Sequence, residues 1–247
     1  MEALGLAAVQ YNYFHRYLDD ASYTRPSPII STSIRELLHK LAADKRFDGI
    51  FKQPGFDNID PLFERYEDLV LEYWNAWDLV DPKKQFEESQ EVAVALLIAT
   101  VPPSTHAYNF FICHLLTTSH AVRILLPFIP VDFHLSLVRQ WWLLVLAVYI
   151  AECRPKIDPD NVLPPAKHAS WSYVVDRSLN SPWSTDAHYV KGELTLLDDE
   201  LTVQASADHV CVAIRAIKEA AETWGDVHRR YLAAAITFVD NFSGWTH

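Results

Sequence analysis

Apolar residues at helical spacing recur along this chain between prolines, and its 247 residues include only six glycines. Strand-like alternation is rare, so the chain must be built mainly from helices that each bury one face. Leu4, Ala8, Tyr11, Phe14 and Leu18 form the first stripe. A Pro- and hydroxyl-rich linker, 21–33, ends in Ser33-Ile34-Arg35-Glu36, the spacing of a capping box, which predicts a helix to about Asp44. Asp60-Pro61 reads as N-cap and N1 of a helix to about Trp77. "DPKK" breaks the chain, and "EESQEVAVALLIAT" predicts a helix that Pro102-Pro103 stops.

Further helices are predicted at about Ser104–Leu126, from an Asp132 cap to about Cys153, at about Trp171–Leu179, at about Asp208–Trp224 and at Val227–Asn241. Residues 155–170 hold four prolines and read as irregular. The expectation is an all-α fold, one multi-helix domain over 1–247. One stretch, 192–212, interrupts an otherwise continuous amphipathic helix. With it removed, Tyr189 and Val190 fall in register with Ile214, Ile217 and Ala221. It is either an insertion or an ordinary loop between two helices.

The net charge of -11 and the lack of a basic stripe argue against nucleic-acid binding, since an acidic surface repels phosphate backbones. Cys113, Cys153 and Cys211 form neither a CxxC metal site nor a disulfide framework and suit a reducing, cytoplasmic compartment. "MEALGLAAVQYNYF" has no basic n-region and carries Glu2, so it does not read as a signal peptide. "WWLLVLAVYIA", 141–151, is too short for a membrane span, which needs roughly 20 residues, and is expected to be a core helix.

Chemistry concentrates in "YNFFICHLLTTSHAVRILLPFIP", 108–130. On a helix Phe110, His114, Thr117, Thr118, Ala121 and Leu125 share one face, with Asn109, Leu116, His120 and Arg123 on the other side, where wide spacing is expected to limit direct contact of Asn109 and Arg123 with His120. The Thr118 hydroxyl is placed to hold the His114 imidazole in one tautomer. The ordinary alternative is a set of core histidines satisfied by nearby backbone. Trp141, Trp142 and Tyr149, on the helix that folds back after Pro130, are either core or a flat wall for a planar aromatic ligand. Arg139 and Arg154 are expected to be solvated helix ends that could also bind phenolate or carbonyl oxygens. GxGxxG, GxSxG, Walker A and HExxH motifs are missing. Glu36-Leu37-Leu38-His39 is a lone ExxH, whereas a ferritin-like di-iron site needs two of these.

"FFICHLLTTSHAVRILLPFIP", "LVRQWWLLVLAVYIAECRPKID" and "NSPWSTDAHYVK" make the chain resemble the questin oxidase-like family. Within it, the chain is most similar to fungal oxidoreductases of aflatoxin- and sterigmatocystin-type polyketide pathways. "EALGLAAVQYNYFHRYLDDASYTRPSP", "AIRAIKEAAETWGD" and "YLAAAITFVDNFSGW" extend the resemblance over nearly the whole chain. It implies a helical fold and Baeyer–Villiger-type oxidative cleavage of a polycyclic, anthraquinone-like polyketide, with NADPH as electron donor. For that reaction His114 and His120 are suitable acid–base types, and Arg123 could stabilise developing negative charge. Thr118, Trp141, Trp142 and Tyr149 are the expected substrate contacts, in a pocket between the 104–126 and 132–153 helices. The group that activates O2 is not named by the sequence, nor is the oligomeric state. Relative to the family, a long His-rich N-terminal part is missing and 192–212 is extra, as a lost upstream exon and an unspliced intron would leave it. The alternative is therefore a catalytically incomplete fragment or binding module.

Overall fold

The computed structural model describes residues 13–102, 105, 107–162, 164–165, 169–184 and 212–246. Among them are ten α-helices: α1 Arg16–Asp19, α2 Ile34–Ala43, α3 Ile59–Arg65, α4 Glu67–Asn75, α5 Pro82–Ile98, α6 Phe110–Leu125, α7 His134–Ala151, α8 Trp171–Leu179, α9 Val212–Trp224 and α10 Arg230–Asn241. Seven short 3-10 turns and one parallel pair, β1 Tyr108–Asn109 and β2 Trp245–Thr246, complete the secondary structure there, with Tyr108 opposite Trp245. The all-α expectation holds.

α5, α6 and α7 pack on one another, and α9 and α10 pack against α6 and α5. Trp142 is fully buried on α7 and meets Trp77 edge-on at 5.8 Å, while Trp141 meets Phe86 at 5.4 Å. Large aromatics of this kind each remove about 150–250 Å² from water and dominate the energetics of such a core. By length and composition Val131–Ala151 could cross a membrane, but more than half of it is buried inside the protein. The cause is an apolar face on every side: Val138, Leu143, Val145, Leu146 and Tyr149 are all at most 1% exposed.

Local signals explain several helix starts. Ser33 caps α2, its hydroxyl accepting from the Glu36 amide at 3.2 Å. The reciprocal half of the box is diverted, because Glu36 takes the Ser31 hydroxyl at 2.6 Å and pairs with Lys40. Asp81-Pro82, expected to break the chain, instead starts α5: Asp81 accepts from the Lys84 amide and Pro82 occupies the first turn, where a missing N–H costs nothing.

Several expectations need correction. The 60–77 helix is two helices, α3 and α4, broken at Tyr66, whose φ of -129° leaves the helical region. Asp60-Pro61 lies inside the first turn of α3 rather than ahead of it. Asp132 makes no cap, since α7 is entered through a 3-10 turn, Val131–Phe133. α6 starts at Phe110, capped by Asn109 through the Ile112 amide at 2.9 Å, because residues 108–109 are drawn into the strand pair. Of the first stripe, residues before 13 lie outside the described residues, as does 192–211.

Candidate functional site

The seven residues singled out from the sequence fall into three environments. The first is the face of α6 carrying His114 and Thr118, both half-buried. His114 Nδ1 donates to the Phe110 carbonyl at 2.8 Å, one turn back in its own helix, and its ring lies 4.6 Å from that of Phe110. The Thr118 hydroxyl donates to the His114 carbonyl at 2.6 Å. Contrary to the expectation from their i,i+4 spacing, this bond goes to the helix backbone and not to the imidazole, as threonine hydroxyls within helices commonly do.

On the opposite side, His120 and Arg123 do meet. Arg123 Nη2 lies 3.3 Å from His120 Nδ1 and donates at 2.7 Å to Glu219 Oε2, while Nη1 donates to the Thr223 hydroxyl at 2.9 Å. Glu219 also accepts from Arg215 Nε at 2.9 Å and lies 4.0 Å from His120 Nε2. Burial pushes the Glu219 carboxyl up, but Arg215, His120 and Arg123 more than offset it and hold the group below its ordinary value. Glu219 on α9 is the residue that sequence reasoning missed here. Its α6 partners lie about a hundred positions away, so no local spacing joined it to the His120 flank.

The third environment is α7. Trp141 donates its indole N–H to the Leu115 carbonyl and Trp142 to the Tyr73 carbonyl, each at 3.2 Å and each buried. Both indoles thus have their polar ends satisfied by backbone. Arg139, expected at a solvated end, packs 3.8 Å over the Trp74 ring and bonds Asn75, and burial lowers its pKa to about 10. Arg154 caps the C-terminus of α2, donating to the Leu41 and Asp44 carbonyls at 2.9 Å. Cys153 and Arg154 are both left-handed, with φ of 58° and 53°. Such backbone is costly for residues with a Cβ, and the Arg154 bonds offset it.

Elsewhere among the described residues, a cavity of about 720 Å³ opens between α2, α5, α10 and the Pro-rich segment after α7. Its lining is mostly apolar, with Leu38 and Ala42 from α2, Val92, Ala95 and Ile98 from α5, and Ala234 from α10. It exists because alanines stand where larger side chains would fill the gap. Of the seven expected residues, only Tyr149 is among the described residues that line it. The Tyr149 hydroxyl donates to the Pro155 carbonyl at 3.2 Å, and burial pushes its pKa up to about 12.

Polar groups border this cavity on one side. Arg35 of α2 and Arg230 of α10 both pair with Glu91 of α5, which is only 13% exposed at its side chain. His39 and His228 are exposed lining residues, and His228 and Arg229 are left-handed, both with φ of 57°. Tyr231 is 1% exposed, and its hydroxyl has no hydrogen-bond partner among the described residues. Leaving a buried hydroxyl unpaired costs about 1–3 kcal/mol.

A nicotinamide dinucleotide finds no matching residues among those described. The only strands are two residues long, and no glycine-rich strand-to-helix turn is present there. Arg35 and Arg230, the types that bind a phosphate, are already bonded to Glu91. Among the described residues no three of His, Cys, Asp and Glu converge as a metal site.

The sequence model of the questin oxidase-like family matches residues 1–193, ending where the 192–212 stretch begins. No curated protein and no solved structure matches the chain.

Proposed function

The chain belongs to the questin oxidase-like family, which points to an oxidoreductase with a small aromatic substrate, and on that premise we propose that its 720 Å³ cavity receives a polycyclic, anthraquinone-like polyketide. The reaction proposed is Baeyer–Villiger-type oxidative ring cleavage in secondary metabolism, in a cytoplasmic enzyme. The observation that carries the reading is the cavity itself. Its volume falls within the roughly 300–1,000 Å³ of small-molecule sites, and it is apolar with a few phenol and guanidinium groups, as such sites are. NADPH is the proposed electron donor of the overall reaction. What this chain's residues supply is exclusion of water from a flat apolar ligand and neutral phenols beside it, since burial keeps the Tyr149 and Tyr231 protons in place.

The test is to mix the purified chain with a hydroxyanthraquinone and NADPH and to follow binding and product separately. Binding with conversion is the expected result. Binding without conversion would make the chain a binding module of its family. Failure to bind any anthraquinone would remove the substrate assignment.

A second reading keeps the chemistry on α6, favoured by the convergence of His120 and Arg123 with Glu219. There His120 would move a proton and Arg123 would stabilise charge, with His114 about 1.7 turns back on the other face of the helix. On that reading His120→Ala lowers turnover about 100-fold with an unchanged melting temperature. On the cavity reading the same change lowers the melting temperature and leaves ligand affinity intact.

A further inference from the structure

Between Arg123 and Arg139 the chain carries a single Asp, Glu, Lys or Arg, Asp132, and this stretch holds the turn from α6 into α7. Of the eleven large apolar side chains that stand exposed among the described residues, six belong to it: Ile124, Leu125, Phe128, Val131, Phe133 and Leu135. Phe128 is 81% exposed and Val131 74%. Together the six offer roughly 700 Å² to solvent, more than the few hundred that a typical monomer leaves in one patch. The backbone beneath them is closed on itself. The Leu126 amide donates to the Val122 carbonyl, and the Phe128 and Ile129 amides both donate to the Leu125 carbonyl. Pro127 and Pro130 have no N–H to pair. The Phe133 amide donates to the Pro130 carbonyl at 3.0 Å, and His134 Nε2 donates to the Ile129 carbonyl at 3.2 Å.

Exposed apolar side chains over internally paired amides suit a lipid environment, because a bilayer offers backbone groups no partner. A second copy of the chain fits less well. A stable dimer buries about 800 Å² on each partner, whereas side chains spread around a turn bring only part of their roughly 700 Å² against one face. Charge sets the kind of lipid. Asp132 is exposed in the turn, Arg123 beside it is paired with Glu219, and the chain has a net charge of -11, so an anionic surface repels it and an uncharged one does not. We propose that the α6–α7 turn is a lipid-docking tip that enters the headgroup layer of a zwitterionic membrane, with Phe128, Val131 and Phe133 leading. Attachment is peripheral and reversible, since Trp142, Leu143 and Leu146 hold the body of α7 in the core. The inference is independent of what fills the cavity.

The experiment is co-sedimentation of the full chain with phosphatidylcholine vesicles at low and high salt, for wild type and for the double variant Phe128→Ser, Phe133→Ser. Wild type is expected to sediment with the vesicles at both salt concentrations, as apolar insertion requires. The double variant is expected to partition at least tenfold less, with an unchanged melting temperature because both rings are exposed. Phe128→Trp gives a second readout: its emission shifts to the blue on adding vesicles, beyond any shift of wild type, as the indole enters the interface. No co-sedimentation of wild type, equal partitioning of the double variant, or no added shift in Phe128→Trp overturns the proposal. So does binding that needs anionic lipid and is lost in high salt. Sedimentation equilibrium without lipid covers the remaining occupant: a wild-type dimer that the double variant converts to monomer assigns the tip to a second copy and overturns lipid docking.

Discussion

Arg123 on α6 donates to Glu219 on α9 at 2.7 Å, and this pair joins the helix richest in candidate residues to the C-terminal half of the chain. The two side chains are 16% and 28% exposed, so neither charge is fully screened by water. Removing one partner leaves the other partly desolvated and unpaired. Arg123→Met should therefore destabilise the protein by about 1–3 kcal/mol, between the cost of breaking an exposed pair and a buried one. Urea unfolding checks this. Glu219→Gln should cost a similar amount, and the double variant less than the sum if the contact is direct. Because the Glu219 carboxyl is held below its ordinary value, its contribution is present at neutral pH and fades as pH falls through that lowered value.

Glu152 gives the opposite pH dependence. It is 6% exposed at the end of α7, where Oε2 accepts from Asn109 Nδ2 at 2.7 Å and Oε1 has no partner among the described residues. Burial raises its carboxyl pKa and the Asn109 bond only partly offsets this. A carboxyl raised in the folded state favours the protonated form, so its penalty grows as pH rises through the folded value. Glu152→Gln should thus raise the melting temperature at pH 7 to 8, with the gain disappearing below the ordinary carboxylate range. A melting scan from pH 3.5 to 8 reads the difference. A variant that melts lower than wild type at pH 8 would contradict the assignment.

The 192–212 stretch, expected to be an insertion, lies outside the described residues except for Val212. α9 buries Ala213, Ile214, Ala216, Ile217 and Ala220, a face that starts immediately after it. Deleting 192–212 is expected to leave the melting temperature unchanged or higher, since long loops add little, about 0.6 kcal/mol per doubling of length. A large drop would make the stretch an integral element of the fold.

Sequence pattern located the elements whose causes are local. Ser33 caps α2 and Ser170 caps α8, both through side-chain oxygens that accept from amides three residues on. The aromatic α7 helix is central because it is apolar all round. What was not legible depends on distance in the chain. β1 pairs with β2 from the far end of the sequence, so nothing near Tyr108 announced that α6 would begin late. The cavity draws on α2, α5, α10 and the segment after α7, and no single stretch carries its signature. One weak signal was present: "RYLAAAITF" puts three consecutive alanines, Ala233 to Ala235, two residues after Tyr231, small side chains near a large ring on one helix. The cluster on α6 was half legible. The spacing places Arg123 on the flank of His120 with limited direct contact, whereas the two lie 3.3 Å apart, and Glu219, which completes the cluster, comes from α9.

Occupancy of the cavity by a flat aromatic ligand is the central claim, and filling the cavity tests it. Ala95 on α5 lines the space, so Ala95→Phe places a ring where the ligand would lie. Titration of a hydroxyanthraquinone into wild type and Ala95→Phe, with melting temperatures measured for both, is the direct measurement. The account predicts one-to-one binding to wild type and at least a tenfold loss in Ala95→Phe with the fold retained, because overpacking excludes the ligand. Equal affinity in the two proteins, or no binding to wild type, would contradict it.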